Sequence, residues 1–140
     1  MDRATLPGYV GNIEEETLQN TNFRRVIFTG PHSQLVVMSL EPREEIGLEA
    51  HEGDQFIRFE EGEGRVVLDG NEAEIRDDYA VVIPAGTVHN VINTSADRRM
   101  KLYAIYSPPE HPDGIVHRTR AEAEEYEKEQ HGGSGARGDE

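Results

Sequence analysis

Short apolar runs separated by turn residues dominate the middle of the chain. Valine, isoleucine, leucine, phenylalanine and tyrosine are concentrated between about Phe23 and Tyr106. Short runs of this composition, bounded by glycine, proline, asparagine or aspartate, are typical of β-strands. The pattern predicts strands at Phe23–Thr29, Gln34–Leu40, Glu45–His51, Gln55–Glu60, Gly64–Leu68, Asn71–Arg76, Tyr79–Ile83, Val88–Asn93 and Lys101–Tyr106.

The residues between these runs favour tight turns. The pair Asp69-Gly70 separates two runs, and such a pair is a strong hairpin signal. Pro84 and Gly86 form another turn, and residues 94–97 a third. Closely spaced short strands without intervening helices predict an antiparallel sandwich or barrel, and the lack of crossover helices excludes a parallel βαβ fold.

The two ends of the chain have a different pattern. Residues 1–20 show no clear period and are predicted to be an extended arm, so the barrel is placed at residues 21–118. A proline-rich loop follows Tyr106, and a short helix is predicted over 119–130, where Thr119 and Glu122 form a capping box. Residues 131–140 are predicted to be a flexible tail.

Composition excludes several classes of protein. The formal net charge of −14 argues against a nucleic-acid or anionic-membrane partner, because the field would repel phosphate. There are no cysteines, which excludes disulfides, thiolate catalysis and zinc–thiolate sites. Neither a long apolar segment nor a signal-peptide pattern is present, and we expect a cytoplasmic protein.

Four polar side chains are predicted to converge at one end of the barrel. Because side chains alternate along a strand, Glu49 and His51 share a face, and Gln55 opens the next strand. His89 follows the Pro84–Gly86 turn at the start of another apolar run. An oxygen and nitrogen ligand set without thiolates suits a divalent transition metal: Mn²⁺, Fe²⁺, Ni²⁺, Co²⁺ or Zn²⁺.

The two segments resemble the motifs of the cupin superfamily, which read G-x5-H-x-H-x3,4-E-x6-G and G-x5-P-x-G-x2-H-x3-N. Here the first motif runs through Glu49, His51, Gln55 and Gly62. The second comprises Pro84, Gly86, His89 and Asn93. The resemblance extends from about Gln34 to Pro109, and it is greatest to the small, single-domain, phosphomannose isomerase-like cupins.

The chain departs from these motifs at four positions. Glu49 stands where the family usually has its first histidine, and Gln55 where it usually has glutamate. Arg43 and Asp78 replace the leading glycines, which we interpret as turn variation. The resemblance implies a jelly-roll β-barrel, often dimeric, with a metal inside its mouth held by Glu49, His51, Gln55 and His89. Gln55 is the weakest of these ligands, because an amide oxygen is neutral.

Three functions fit this site. The first is a metal-dependent, isomerase-like enzyme that acts on a small oxygen-rich substrate, a sugar phosphate or hydroxy acid, with Glu49 or a bound hydroxide as catalytic base. The second is an iron-dependent oxygenase or lyase, because two histidines and one carboxylate match a non-haem iron site in composition. The third is a module that binds a small ligand without turning it over, which the lack of a separate base favours.

The remaining polar residues have less specific roles. Arg58 is predicted to face outward, and His111 and His117 are predicted to be exposed loop histidines rather than a lid or second metal site. Packing in the core or at an interface explains Tyr103 and Tyr106 at least as well as a hydroxyl presented to the pocket does. We also expect a homodimer in which the N-terminal arm covers an open sheet edge of its partner.

Overall fold

Two antiparallel sheets form the protein. The computed structural model describes residues 6–132, and side chains as far as residue 129. Each predicted strand except one forms close to its predicted bounds. The elements are α1 (Ile13–Gln19), β1 (Arg24–Thr29), β2 (Gln34–Leu40), β3 (Asp54–Glu61), β4 (Glu63–Leu68), β5 (Asn71–Arg76), β6 (Ala80–Ile83), β7 (His89–Asn93), β8 (Met100–Ser107), β9 (Val116–His117) and α2 (Arg120–Gly132).

The strand order brings together segments that are far apart in the sequence. The larger sheet has the order β6-β3-β8-β2-β1-β9, and the smaller has the order β5-β4-β7. The strand pairs are antiparallel throughout. The predicted all-β, antiparallel architecture with a short C-terminal helix is therefore confirmed.

The core lies on the inward faces of the sheets. Phe59, Leu102 and Met38 lie side by side on β3, β8 and β2, and all three are almost completely buried. Alternate residues of β3 point inward, so Gln55 lies in the same inward row as Ile57 and Phe59. One end of this row is apolar, and the end that carries Gln55 faces the candidate site.

The predicted strand at Glu45–His51 is wrong. The segment makes only isolated bridges, Glu45 with Ile92 and Glu49 with His89. Gly47 in its middle has a φ of 108°, which is incompatible with a regular strand. The segment nevertheless lies along β7, so Glu49 reaches the neighbourhood of His89 without a continuous ladder.

The predicted extended arm over residues 1–20 also needs correction. Residues 13–19 form helix α1, in which the side chain of Asn12 caps the amide of Glu15 and the first turn is acidic. The helix contacts β2, β3 and β8 of its own chain, and Thr17 is fully buried. Residues 1–5 of the predicted arm lie outside the described residues.

The C-terminal segment closes over one edge of the larger sheet. Strand β9 pairs with β1, and Ala123 of α2 packs into the hydrophobic core. The predicted helix is thus confirmed and continues to Gly132, while residues 133–140 of the predicted tail lie outside the described residues. No helix within residues 6–132 has the length and apolar character needed to cross a membrane.

Candidate metal centre

Backbone pairing brings two of the predicted ligands together. Glu49 and His89 exchange both backbone hydrogen bonds, with N···O distances of 2.9 and 2.8 Å. The turn that precedes His89 is joined to the loop that carries His51, because Gly86 N donates to His51 O at 2.9 Å. Ala85 N donates to the side chain of Asp54, also at 2.9 Å. Positions 49, 51 and 89 are therefore held by main-chain contacts.

The side chains of Glu49, His51 and His89 form a compact donor set. One ligand atom of each lies within 4.8 Å of the others. Glu49 Oε1 is 3.3 Å from His51 Nε2 and 3.8 Å from His89 Nε2. Donors at about 2.1 Å from one tetrahedral cation are separated by about 3.4 Å. The spacing therefore fits a single metal ion.

The buried nitrogens of this set lack hydrogen bonds. His51 Nε2 and His89 Nε2 are inaccessible to solvent and have no hydrogen-bond partner, although each lies near Glu49. Gln55 Oε1 is also buried without a hydrogen-bond partner. Buried polar atoms are normally paired, because an unpaired one loses its hydration without compensation. The two imidazole nitrogens, together with Glu49, thus fit a metal ion whose coordination would satisfy them.

Neighbouring groups set the tautomer of each histidine. His89 Nδ1 lies 2.9 Å from the carbonyl oxygen of Thr87, which accepts a hydrogen bond if the ring proton is on Nδ1. His51 Nδ1 lies 3.3 Å from Glu110 Oε2. The contact with Thr87 favours a proton on Nδ1 of His89 and leaves its Nε2 lone pair for a metal. If a metal takes Nε2 of His51, Glu110 would hold the remaining ring proton on Nδ1, as in the carboxylate–histidine–metal arrangement of known sites.

Sequence reasoning missed Glu110, which comes from the proline-rich loop after β8. Gln34 holds this loop in place from inside the barrel, where it is 1% exposed. Its Oε1 accepts hydrogen bonds from the amides of Glu110 and His111, and its Nε2 donates to the carbonyl oxygen of His111. No motif spacing links position 34 to position 110, so the contact had no signal in the sequence.

The site perturbs the protonation of its members. Burial lowers the pKa of His51, but the carboxylates of Glu110 and Glu49 outweigh it and raise the pKa to about 9. Burial raises the pKa of Glu49, yet His51, Arg24 and His89 bring it below its ordinary value. Burial, together with the charge of Arg24, lowers the pKa of His111 to about 3. Without metal, His51 is therefore a cation between two carboxylates, whereas His111 is neutral.

One tyrosine, Tyr106, completes the site. Tyr106 is buried and makes edge-on contacts with His51 and His111, at centroid distances of 5.5 and 5.0 Å. Burial raises its pKa far above the ordinary value, so its hydroxyl stays protonated. Tyr103, by contrast, contacts Phe56 on the other face of the sheet. Of the two tyrosines, only Tyr106 reaches the site.

Three other predictions can be compared with the structure. His117 is buried and His111 is partly buried with a solvent-inaccessible Nε2, so the prediction of exposed loop histidines is wrong for both. The loop folds inward because Gln34 anchors it. Arg58 lies outside the barrel, as predicted, and it pairs there with Glu60 and Asp78.

The motif positions that lost glycine keep the glycine backbone conformation. Arg43 and Asp78 have φ values of 66° and 73°, and the retained Gly62 and Gly86 have values of 125° and 83°. Asn93 at the end of the second motif is fully buried and donates to the carbonyl oxygens of residues 40, 41 and 98. Its role is to hold the turns at these residues together.

Comparisons with known proteins agree with this architecture. A model of the cupin domain matches residues 36–106. The uncharacterized protein YrkC of Bacillus subtilis is 48% identical over 122 residues, which cover 82% of this chain. This chain spans only 65% of the length of YrkC. The uncharacterized protein L612 of Acanthamoeba polyphaga mimivirus is 44% identical over 92% of this chain and 78% of its own length.

Solved structures show the same fold. The crystal structure of BH2720 from Bacillus halodurans has a TM-score of 0.83 and 49% identity, covering 89% of this chain and 98% of that one. KdgF from Halomonas sp. has a TM-score of 0.57 and 22% identity, covering 62% of this chain and 78% of that one, and at this identity the likeness shows the fold alone. Since the family model spans half the chain and a curated relative is 48% identical across most of it, the chain belongs to the cupin family.

Proposed function

We propose that this cupin is a metal-dependent enzyme acting on a small, polar, oxygen-rich molecule, a hydroxy acid or a sugar phosphate, with isomerase-like chemistry. One observation carries the proposal: Glu49, His51 and His89 present donor atoms within 4.8 Å of one another, and the Nε2 atoms of the two imidazoles are buried without a hydrogen bond, beside the carboxylate of Glu49. Gln55, whose amide oxygen is buried and unpaired, is the proposed fourth ligand.

The surrounding residues support catalysis as well as binding. A divalent metal held here would act as a Lewis acid that polarises substrate oxygens. Glu110 holds the His51 proton at Nδ1, and as a second carboxylate at the mouth it is better suited than Glu49 to accept a proton from substrate. Glu49 has a lowered pKa and is committed to the ligand set, which makes it a weak base. The neutral Tyr106 hydroxyl can donate a hydrogen bond to an oxyanion.

Glu110 supplies the separate carboxylate that the sequence analysis lacked, and this favours an enzyme over a passive binding module. The composition of the ligand set also supports a second candidate. Two histidines and one carboxylate are the ligands of many non-haem Fe²⁺ oxygenases and lyases. The metal that accompanies the purified protein, together with oxygen uptake after anaerobic iron loading, separates the two reactions.

Metal analysis tests the proposal directly. Protein purified without added metal should contain a stoichiometric transition metal, and Glu49→Ala and His89→Ala should lose it while keeping the β-sheet circular dichroism spectrum. His32→Ala is the matched control, because His32 is exposed in a turn. Wild-type metal content unchanged in both ligand variants would contradict the site. Metal bound but no turnover across sugar phosphates and hydroxy acids would contradict the isomerase-like reaction.

A further inference from the structure

Arg24 is a buried arginine that forms no ion pair with any residue the structure describes. It lies on β1 opposite Met38 and His117, so its side chain enters the barrel, where the residue is 3% exposed. Its Nε is buried without a hydrogen-bond partner. The neighbouring Arg25 faces the other way, with its side chain 42% exposed and 3.9 Å from Glu16. Within residues 6–132, the guanidinium of Arg24 forms no ion pair, and its aromatic contact is with Phe23.

A buried charge in this state requires a nearby anion. Removing a guanidinium from water is costly unless a carboxylate or phosphate pairs with it. Glu49 is near enough for the charge of Arg24 to lower the pKa of its carboxyl. Glu49, however, belongs to the metal-binding set, where its negative charge would balance the charge of the metal ion. With a metal in place, Arg24 and the metal are two cationic centres in one interior.

A small cavity lies beside Arg24. Its volume is about 50 Å³, and its walls include Arg24 and Glu49 of the barrel and Arg120, Ala123, Glu124 and Glu127 of α2. This volume is the space open to the centre of a water-sized sphere, and roughly 10–15 Å³ of such space holds one water, so a carboxylate group fits. Of the two helix carboxylates, Glu124 is neutralised by Arg120 at 3.0 Å, and Glu127 is exposed to solvent.

Further unpaired polar atoms lie in the same interior. His111 Nε2 and His117 Nδ1 are both buried without hydrogen-bond partners, and burial, together with the charge of Arg24, lowers the pKa of each ring. Neutral imidazoles can donate one hydrogen bond to an anion or accept one from a hydroxyl. The unpaired nitrogens of His111, His117 and Arg24 therefore suit a ligand that carries both kinds of group.

We propose that Arg24 binds the carboxylate of a small organic acid whose second oxygen, a hydroxyl or carbonyl, coordinates the metal. A carboxylate matches the planar fork of a single guanidinium, and its volume suits the cavity. The inference rests on the proposed function for the contact with the metal, but not for the contact with Arg24. It selects organic acids over sugar phosphates among the substrates considered above.

Calorimetric titration with defined acids tests the inference. The probes are acetate, glycolate, lactate and oxalate, with the uncharged propane-1,2-diol as comparison, each added to metal-loaded and to metal-free protein. Arg24→Met should weaken binding of the acids about 10- to 100-fold, the value of a charge-assisted hydrogen-bond pair, and leave diol binding unchanged. Arg24→Lys should lose part of the affinity, because it keeps the charge without the fork.

The control is Arg25→Met, which removes an arginine from the opposite face of the same strand and should bind as wild type does. Metal content is measured in every variant, so that acid affinities are compared at equal metal occupancy. Equal acid affinity in Arg24→Met and wild type would overturn the inference, as would a wild-type protein that binds none of the acids. If wild-type protein holds no metal, the proposed function fails, while acetate binding that depends on Arg24 in metal-free protein still supports the anion site.

Folding of the variants is checked by thermal unfolding. Replacing an unpaired buried charge by an apolar side chain of similar length is often neutral or stabilising, so ligand-free Arg24→Met should melt no lower than wild type. If Arg24→Met does not fold, the test is carried by Arg24→Lys, whose unreduced affinity for oxalate would contradict the bidentate contact.

Discussion

Replacing Gln34 with methionine should weaken metal binding although Gln34 is not among the proposed ligands. Gln34 is buried and makes hydrogen bonds to Thr29 Oγ1, His111 O, Glu110 N and His111 N, at 2.9, 2.7, 3.1 and 3.0 Å. Methionine keeps the volume but offers none of these bonds. The loop should then separate from the barrel and take Glu110 away from His51.

The structure sets two magnitudes for this change. Each lost hydrogen bond costs about 0.5–1.5 kcal/mol, and part of the loop can be rehydrated, so the free energy of unfolding should fall by about 2–4 kcal/mol. A carboxylate that orients a ligating histidine typically contributes about 10- to 100-fold in metal affinity. Gln34→Met should therefore bind metal about 10- to 100-fold more weakly than wild type.

A double-mutant cycle separates this indirect effect from general loosening. Glu110→Ala alone should weaken metal binding as Gln34→Met does, and the double variant should be no weaker than either single variant. Metal affinity is measured by competition with a chelator at fixed pH, and stability by urea unfolding of metal-free protein. Additive losses, or a destabilised Gln34→Met protein with wild-type metal affinity, would show that Gln34 does not act through Glu110.

Other consequences of the structure can be measured in metal-free protein. His111 has a pKa of about 3 in the folded protein and about 6.5 when unfolded, so the unfolded chain takes up this proton more readily. The free energy of unfolding should therefore fall by about 4 kcal/mol as the pH is lowered from above 6.5 towards 3. His111→Phe should flatten that loss in urea titrations, and matching profiles would contradict it. Gly64→Ala should lower the free energy of unfolding by more than about 2 kcal/mol, because the new Cβ would overlap the carbonyl oxygen of Ile92. Gly8→Ala is the control and should not destabilise the protein, because the space around Gly8 is open. Arg43→Gly should change the free energy of unfolding by less than about 1 kcal/mol. Glycine adopts the positive φ of this position without strain, and this gain offsets the greater freedom of the unfolded chain. A larger loss would show that the Arg43 side chain itself contributes to stability.

The strands were predictable where residues alternate between core and solvent. The bounds of Gln34–Leu40 and Asn71–Arg76 agree with the structure, because apolar content and flanking turn residues mark both ends. Glu45–His51 has strand-like composition, yet its conformation is set by contacts with β7 and by Asn90, whose side chain accepts from Gly47 N at 2.8 Å. A contact of this kind has no local signal. Helix α1, in contrast, had one, since Asn12 and Glu15 have the spacing of a cap.

The residues of the site likewise fall into those that the sequence motifs predict and those that only the fold brings together. Glu49, His51 and His89 were predicted because they lie at fixed spacings within two short motifs. Arg24 and Glu110 come from β1 and from the loop after β8, and only the barrel topology brings them to the interior. At position 43 the family motif has glycine and this chain has arginine, yet the backbone keeps the positive φ that is typical of glycine. The sequence does not signal this conformation, because other residues can adopt a positive φ at a modest cost.

The reciprocal backbone bonds between residues 49 and 89 have a consequence for how such a centre changes over evolution. These bonds are independent of side-chain identity, so the main chain delivers position 49 to the same point whether it carries an imidazole or a carboxylate. Ligand type can then be exchanged by single substitutions while the scaffold is unchanged. The total charge of the ligands around the cation, and with it the preferred metal and reaction, can therefore change while the fold stays the same.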